Sequence, residues 1–342
     1  RQRQMCIRDR FQRGIETIPG IHLYGGEKRV AAIVSCNLAD LDSAYVSDCL
    51  AEDYGIATRA GVHCAPLMHT HFGTEKQGMV RFSFSCFNTT EEVEKAVRAM
   101  QDIAAENRGK VTAYVGAGGK TSSIRKRAET LRAEGKRVLI LTTTKMMVPQ
   151  EQEIFAAYEQ TGQESVISAT ASVWQERRAA EKQLKERVQS VLDTYGCCVA
   201  GSLIPGTEKF GMLPEKLMED LLYLADEILI EADGSAHMPV KAPAEHEPVL
   251  FPYMDEVVIV MGAHAIGKPL QEVCHRADYA KKILKCDADK IVTATDIRVL
   301  AEQGYAIPIQ KQFPWMKISK VTGKDIKLCL TAEKKDKERD KQ

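Results

Sequence analysis

The chain has 342 residues, which is long enough for two domains that each bury a core. Basic and acidic residues balance at 47 each and are scattered, so nothing indicates a nucleic-acid or membrane-surface partner. The ten cysteines form no CxxC pair, which argues against a disulfide framework and a structural zinc site. The charge pattern instead favours small molecules as ligands. The cysteine pattern fits a reducing compartment, and there is no apolar run of about 18 residues and no signal-peptide core, so we expect a cytoplasmic protein.

Both ends of the chain have an unusual composition. Residues 1–10 lack an initiating methionine and show no helix or strand periodicity of their own. Codons for residues 4–9 resemble a sequencing adapter, so we interpret residues 1–10 as a non-native artefact and Phe11 as the start of a segment cut from a longer protein. Residues 333–342 are a run of mixed charges, and we predict a divergent, disordered tail over residues 311–342.

Residues 11–108 carry the pattern of a small α+β domain. A β-branched run, a helix-spaced apolar face and an alternating run follow one another at residues 30–35, 43–54 and 79–85. Thr89 and Glu92 then form a capping box ahead of an amphipathic helix. This order predicts a layer structure whose sheet is covered on one side.

A loop rich in reactive side chains precedes the alternating strand. We call Arg59-Ala-Gly-Val-His-Cys-Ala-Pro66 the cysteine loop. A thiol flanked by arginine and histidine can have its pKa lowered, and the thiolate is the reactive form. Two other interpretations stay open, an inert loop cysteine and a metal site built from Cys64, His69 and His71 without a fourth ligand.

Two motifs of this segment resemble a known enzyme family. Tyr54-Gly-Ile-Ala-Thr-Arg-Ala-Gly-Val-His-Cys-Ala-Pro66 and Val80-Arg-Phe-Ser-Phe-Ser-Cys-Phe-Asn-Thr89 resemble the C-terminal small domain of class V aminotransferase-fold cysteine desulfurases and selenocysteine lyases, which are pyridoxal-phosphate enzymes of fold type I. The resemblance implies that Cys64 attacks the sulfur or selenium of the substrate and leaves as a persulfide or selenopersulfide. It implies that Arg81 holds the substrate carboxylate, and that this part forms a homodimer.

The cofactor residues of that family lie in a large domain that precedes the small one. They are a Schiff-base lysine, a ring-stacking histidine and a pyridinium-binding aspartate. We therefore expect pyridoxal phosphate to belong to the full-length parent enzyme only, and this segment to be truncated. Since the cofactor is the electron sink of the reaction, we predict that the chain as given neither binds it nor releases sulfide or selenide.

Residues 109–310 carry the pattern of a second domain, a P-loop-like, mostly parallel, three-layer α/β structure. A strand at residues 111–115 leads into the glycine loop, Gly116-Ala-Gly-Gly-Lys120, and a helix follows at once. Further apolar strands, separated by helical patterns, occur at residues 138–141, 227–231 and 256–261.

The glycine loop predicts a site for a nucleoside triphosphate with Mg²⁺. Glycines between a strand and a helix let backbone N–H groups approach phosphate oxygens. Lys120 would reach the terminal phosphates and Thr121 would coordinate the metal, with Glu231 or Asp233 as a further metal ligand or as the residue that orients water. The predicted nucleotide-binding residues are Gly116, Gly118, Gly119, Lys120, Thr121, Ser122 and Lys145.

Alternatives to this site stay open at each motif. The strict pattern G-x-x-x-x-G-K-[ST] fails because Tyr114 stands at its first glycine position. In the alternative interpretation, the glycine loop is only a turn with a solvated lysine. Asp233 would then belong to an Asp-Gly turn, and residues 241–248 would be a rigid proline-bracketed turn. The identity of the nucleotide is not determined.

The second domain also resembles a known family, the YqeC-type selenium-dependent hydroxylase accessory proteins, over residues 111–306. Five motifs match in order: Val115-Gly-Ala-Gly-Gly-Lys-Thr-Ser122, Leu141-Thr-Thr-Thr-Lys-Met146, Ile230-Glu-Ala-Asp-Gly-Ser235, Lys241-Ala-Pro-Ala-Glu-His-Glu-Pro248 and Cys274-His-Arg276. The resemblance implies a role in maturing selenium-dependent molybdenum hydroxylases. That family continues with a strand and an Asn-Lys-x-Asp-like segment, which we expect to be missing after Gly304.

The two resemblances suggest one pathway. A desulfurase-like part would supply sulfur or selenium, and a nucleotide-hydrolysing part would help to place it on a molybdenum hydroxylase or its cofactor. Two alternatives remain, a non-catalytic adaptor or persulfide carrier that binds a partner hydroxylase, and an artefactual fusion of two neighbouring genes.

Overall fold

The computed structural model describes residues 2–25, 31–159, 171–287 and 289–322. These divide into two compact units. Unit 1 comprises residues 1–109 and 214–225, and unit 2 comprises residues 110–213 and 226–342. Within the described ranges, no helix has both the length and the hydropathy that a membrane span requires.

Unit 1 is built on a three-stranded antiparallel sheet in the order β1-β2-β3. Its elements up to residue 109 are α1 (Gln2–Ile15), β1 (Ile21–Tyr24), β2 (Ile33–Leu38), α2 (Ser43–Glu52), α3 (Pro66–Phe72), β3 (Val80–Ser83) and α4 (Thr90–Asn107). The predicted capping box of α4 is confirmed, with Glu92 N–H donating to Thr89 Oγ1 and Thr89 N–H donating to the Glu92 carboxylate. The predicted α+β class is therefore observed, with β1 and α3 as additions; Val30, the first residue of one predicted strand, lies outside the described residues.

The first ten residues correct an expectation. Residues 2–10 belong to α1, so the segment is helical although its own sequence does not indicate a helix. Ile7, Phe11 and Ile15 recur every four residues, share one helix face and are buried; the Phe11 ring lies 4.5 Å from that of Phe82 on β3. The apolar face starts within residues 1–10 and is completed beyond them, so the ten residues taken alone do not show it.

Unit 2 contains a nine-stranded, mostly parallel sheet. The elements from residue 110 onward are β4 (Lys110–Gly116), α5 (Lys120–Ala133), β5 (Val138–Thr142), β6 (Lys145–Met147), β7 (Phe155–Tyr158), α6 (Ala171–Tyr195), β8 (Cys197–Leu203), β9 (Lys209–Gly211), α7 (Glu215–Leu221, which clusters with unit 1), β10 (Glu227–Glu231), β11 (Val240–Lys241), β12 (Glu256–Met261), α8 (Leu270–Val273), β13 (Cys274–His275), α9 (Ala277–Leu284), α10 (Ala294–Val299), α11 (Ile307–Gln312) and β14 (Lys317–Thr322). A π-helical segment, Leu300–Ala306, joins α10 to α11. The four apolar strands predicted from the sequence are β4, β5, β10 and β12, which confirms the mixed α/β class.

The order of the strands places three loops together. The sheet runs β14-β12-β4-β10-β5-β8-β9-β6, with β7 paired to β8. Strand β4 pairs in parallel with β10 on one side and with β12 on the other. Because parallel strands end at the same edge of a sheet, the segments that follow β4, β10 and β12 meet there. This edge is the candidate site.

The segment beyond residue 310 corrects two expectations. Residues 311–322 are not a disordered tail, because α11 continues to Gln312 and β14 pairs in parallel with the whole of β12. A strand is therefore present after Gly304, at the edge of the sheet, where we expected none. Phe313 and Met316 are buried, and this burial anchors the approach to β14. Residues 323–342 lie outside the described residues.

Candidate functional site

The glycine loop connects β4 to α5 through a backbone that only glycine adopts readily. Gly116, Gly118 and Gly119 have φ angles of 90°, 75° and 126°, a region that other residues rarely enter. A Cβ atom on Gly116 would lie 2.2 Å from the carbonyl oxygen of Val260, and one on Gly118 would lie 2.4 Å from that of Pro239. The loop therefore needs glycine both for its conformation and for close backbone approach.

The first turn of α5 leaves N–H donors available. Gly119 is the N-cap residue and provides no side-chain hydrogen bond. The first N–H groups of a helix have no acceptor within the helix, and the helix dipole adds partial positive charge at this end. Ser122 lies in this turn and is exposed. The geometry is that of an anion-binding helix terminus.

Lys120 is buried beside the loop, with 4 % of its surface exposed. Its Nζ donates to the Gly116 carbonyl at 2.8 Å and to Ser235 Oγ at 3.2 Å. Burial lowers the pKa of Lys120, and the nearby carboxylates of Glu231 and Asp233 oppose that effect. The ammonium group thus sits at the loop with partners that a stronger acceptor could replace.

Thr121, in the first turn of α5, meets Glu231, the last residue of β10. Thr121 Oγ1 donates to Glu231 Oε2 at 2.7 Å. Burial raises the pKa of Glu231, while Lys120 and Thr121 act in the opposite direction. A hydroxyl and a carboxylate are the hard oxygen donors that Mg²⁺ prefers, so these two residues fit the predicted metal.

Asp233 does not fit its predicted role as a metal ligand. Its Oδ1 accepts from Lys241 Nζ, and its Oδ2 accepts from Gly116 N–H at 3.1 Å and Tyr305 O–H at 2.7 Å. Only 1 % of Asp233 is exposed. Because both oxygens already hold protein donors, Asp233 supports the loop rather than facing a ligand.

Lys241 is fully buried at the centre of a charge network. Besides Asp233, its Nζ contacts Glu247 Oε2 at 2.9 Å and the Gly234 carbonyl at 2.6 Å. Glu247 also pairs with Arg276 at 2.9 Å. Burial on its own would raise the pKa of Glu247, but its hydrogen bonds with Lys241, the Ala244 N–H and Arg276 outweigh burial and lower it to about 2. The segment over residues 241–248 is thus part of a network of ion pairs as well as a turn.

Thr142 ends β5, the strand next to β10, and Lys145 belongs to the segment that follows β5. Thr142 is buried, and its Oγ1 donates to the Glu231 carbonyl at 2.9 Å. Lys145, a predicted nucleotide-binding residue, is exposed at the start of β6, the last strand of the sheet order. The structure therefore brings Thr142 to the site as a backbone support and places Lys145 on an edge strand.

Sequence reasoning missed Ser235 and Tyr305 as parts of the site. Ser235 could have been found, because it ends the acidic motif after β10 and lies near the expected lysine. Tyr305 had no local signal, since it is 72 positions from its partner Asp233.

The cysteine loop of unit 1 is more open. Cys64 is exposed, and its Sγ accepts from Arg59 Nη2 at 4.0 Å. His63 Nε2 donates to the Arg59 carbonyl at 2.8 Å, and burial lowers the pKa of His63. His63 and Cys64 both have positive φ angles, 53° and 57°, a strained conformation that is frequent at functional sites.

Arg81 lies next to this loop through backbone pairing with Arg59. Its Nε is buried and has no hydrogen-bond partner within the described part of the chain. His69 is held by Thr74, with Nδ1 at 2.9 Å from Oγ1. No group of three or more His, Cys, Asp or Glu side chains that could hold a metal occurs among the described residues, which disfavours the Cys64, His69 and His71 alternative.

The described residues of unit 1 do not fit a Schiff base with pyridoxal phosphate. Such a lysine is normally desolvated beside its cofactor. The lysines that the structure describes in this unit are all exposed: Lys76, Lys95 and Lys216.

Comparison with known proteins gives two matches that divide along the chain. Residues 112–278 match the family described as YqeC protein. The uncharacterised protein YqeC of Escherichia coli strain K12 is 33% identical over 206 residues, which cover 58% of this chain and 70% of that protein. Residues 1–96 match the aminotransferase class-V family. Both resemblances stated from the sequence are confirmed.

The first part is similar to cysteine desulfurases. A probable cysteine desulfurase of Methanothermobacter thermautotrophicus is 32% identical over 101 residues, covering 29% of this chain and 25% of that protein. Among solved structures, the cysteine desulfurase CsdA from Escherichia coli is 26% identical, with a TM-score of 0.28 over 31% of this chain and 25% of that chain. The chain thus spans about a quarter of the length of these desulfurases.

Proposed function

Since this chain belongs to the YqeC family, we propose that it is a cytoplasmic accessory protein for the maturation of selenium-dependent molybdenum hydroxylases. In this proposal, unit 2 binds and hydrolyses a nucleoside triphosphate with Mg²⁺. Unit 1 carries sulfur or selenium on Cys64, and the partner is a molybdenum hydroxylase or its cofactor.

One observation carries the nucleotide part of the proposal. Lys120, Thr121 and Glu231 converge at the carboxyl ends of β4 and β10, where a glycine loop opens a helix. An ammonium group, a hydroxyl, a carboxylate and free helix N–H donors are the parts that phosphoryl transfer uses for positioning and charge stabilisation.

Each residue has a distinct role in this proposal. Lys120 leaves the Gly116 carbonyl and Ser235 to contact the terminal phosphate oxygens. The first N–H groups of α5 bind the remaining phosphate charge. Thr121 and Glu231 hold Mg²⁺, which neutralises phosphate charge when bound. The other carboxylate oxygen of Glu231, Oε1, orients the attacking water.

The test is the substitution Lys120→Ala. Removing one donor to developing negative charge costs about 10²–10³ in rate, so we expect phosphate release to fall by at least that factor. Phosphate release is measured with ATP and with GTP, and binding is measured by titration of fluorescent analogues of both nucleotides.

The matched control is Lys126→Ala, an exposed lysine of the same helix. It should bind and hydrolyse nucleotide as the wild-type protein does. A wild-type protein that binds neither nucleotide, or a Lys120→Ala protein as active as the control, would refute the nucleotide proposal.

A second function, as a persulfide or selenopersulfide carrier, is favoured by the exposure of Cys64 beside Arg59. In that reaction the Cys64 thiol attacks the outer sulfur of a donor persulfide and takes it up, and the donor departs as a thiol. Mass spectrometry after incubation with glutathione persulfide should show one added sulfur atom on Cys64. Cys86→Ser, at another exposed cysteine of unit 1, is the matched control and should keep this product, whereas Cys64→Ser should lose it.

A further inference from the structure

Gly116 is held by two different groups of the site. Its N–H donates to Asp233 Oδ2 at 3.1 Å, and its carbonyl accepts from Lys120 at 2.8 Å. Lys120 is the group that must move towards phosphate in the proposed function. When it leaves, the hydrogen bond to Asp233 still fixes this glycine.

Asp233 is itself fixed by two donors from different elements of unit 2. Lys241 comes from β11, and Tyr305 comes from the π-helical segment. Both are buried with Asp233, since Lys241 and Tyr305 are 0 % exposed. A buried hydrogen-bonded charge network has little freedom to rearrange, so the position of the Asp233 carboxylate is defined before any ligand binds.

The surrounding backbone leaves Gly116 no room to shift. A Cβ atom at this glycine would meet the Val260 carbonyl at 2.2 Å, and the next residue, Ala117, donates its N–H to the same carbonyl at 2.8 Å. Small displacements of Gly116 would therefore disturb the loop as a whole. A hydrogen bond that fixes the Gly116 N–H therefore restrains the conformation of the glycine loop.

We propose that Asp233 is a positioning residue: Lys241 and Tyr305 hold its carboxylate so that it anchors Gly116 while Lys120 moves from the loop to the phosphates. This inference rests on the proposed nucleotide function. Asp233 then acts on affinity through loop geometry, not by contacting the nucleotide or the metal.

The first test is Tyr305→Phe, which removes one hydrogen bond to Asp233 and keeps the ring and the Asp233–Lys241 pair. One lost hydrogen bond corresponds to about a fivefold change in an equilibrium constant. We expect the dissociation constants of fluorescent ATP and GTP analogues to rise about fivefold. The turnover rate at saturation should change little, because Lys120, Thr121 and Glu231 are intact.

The matched control is Tyr158→Phe. Tyr158 is also a buried tyrosine of unit 2, 4 % exposed, but it lies on β7. It undergoes the same loss of a hydroxyl, so it reports any general effect of that loss on stability. Its nucleotide affinity should equal that of the wild-type protein.

A second measurement reports the anchor directly. Amide hydrogen exchange at Gly116, followed by NMR with a non-hydrolysable nucleotide bound, should be faster in Tyr305→Phe than in the wild-type protein and unchanged in Tyr158→Phe. If the wild-type protein binds nucleotide and both variants match it in affinity and in Gly116 exchange, the inference is overturned while the proposed function stands. If the wild-type protein binds no nucleotide, the proposed function fails and the inference fails with it.

Discussion

The cysteine loop of unit 1 and the glycine loop of unit 2 differ in how the protein surrounds their reactive groups. Cys64 is exposed and is contacted by the Arg59 guanidinium at 4.0 Å. Lys120 is 4 % exposed and donates two hydrogen bonds at 3.2 Å or less. Charged groups in a low-dielectric, hydrogen-bonded setting are positioned in advance, whereas exposed groups are screened and free to move.

The two loops should therefore differ in how much they contribute to the stability of their units. The glycine loop is built on the charge network of Asp233, Lys241 and Glu247, so damage to the network should destabilise unit 2. In the cysteine loop Cys64 itself is exposed, so changing Cys64 should leave the stability of unit 1 intact. Both tryptophans, Trp174 and Trp315, fall within unit 2, so tryptophan fluorescence reports the unfolding of that unit.

The largest loss of stability is expected from Lys241→Met. The substitution leaves Asp233 and Glu247 without their shared ammonium partner, and breaking a buried ion pair from one side costs about 3–5 kcal/mol. Urea unfolding followed by tryptophan fluorescence should show this loss in the unfolding free energy of unit 2. Lys126→Met, at an exposed lysine of α5, serves as the control and should stay within about 0.5 kcal/mol of wild type. A loss below about 1 kcal/mol for Lys241→Met would mean that the network is not a main support of the unit.

A smaller loss of stability is expected at acid pH, when Glu247 becomes protonated. Its folded pKa is about 2 and its ordinary value is 4.5, so its contribution to stability is complete above about pH 4.5 and is lost as the pH falls towards 2. A shift of this size corresponds to about 3 kcal/mol at most. The wild-type protein should therefore lose more stability between neutral pH and about pH 3 than Glu247→Gln does. Equal acid losses in the two proteins would contradict the assignment to Glu247.

A third effect compares two glycines of unit 2 with similar backbone angles. Gly118 and Gly135 have φ angles of 75° and 80°, but only Gly118 has a close neighbour, with a carbonyl 2.4 Å from the position of an added Cβ. Alanine costs about 1–2 kcal/mol at each position for the left-handed backbone, and overpacking adds about 1–3 kcal/mol at Gly118. Gly118→Ala should therefore be less stable than Gly135→Ala in urea, and it alone should weaken nucleotide binding. Equal unfolding free energies for Gly118→Ala and Gly135→Ala would show that the glycine loop can shift away from Pro239.

The fold was predictable where one local pattern decides the structure. The buried strands β4, β5, β10 and β12 are continuous apolar runs, and the capping box at Thr89 marks the start of α4. Strand β14 was not predicted, since four of the six residues in its Lys317-Ile-Ser-Lys-Val-Thr322 sequence are polar, as suits an edge strand. Its position depends on pairing with β12, which local periodicity does not reveal.

In the candidate site, too, local sequence patterns were enough to predict some residues but not others. The spacing of the glycines pointed to Lys120 and Thr121, and the acid at the end of β10 pointed to Glu231. Asp233 was assigned to the metal because sequence shows charge but not partners. Its partners Lys241 and Tyr305 lie 8 and 72 positions away, and only the folded chain shows that they occupy its oxygens.

The smallest effect is expected from Cys64→Ser, and it completes the comparison of the two loops. Cys64 is exposed and has one side-chain contact at the outer limit for sulfur, so the unfolding free energy of unit 1 should change by less than about 0.5 kcal/mol. Thermal unfolding followed by circular dichroism measures this change, with Cys36→Ser as the contrasting variant. Cys36 is fully buried and burial raises its thiol pKa to about 12, so a polar hydroxyl there should cost about 1–3 kcal/mol. A large loss for Cys64→Ser would show that the cysteine loop, like the glycine loop, is part of the support of its unit.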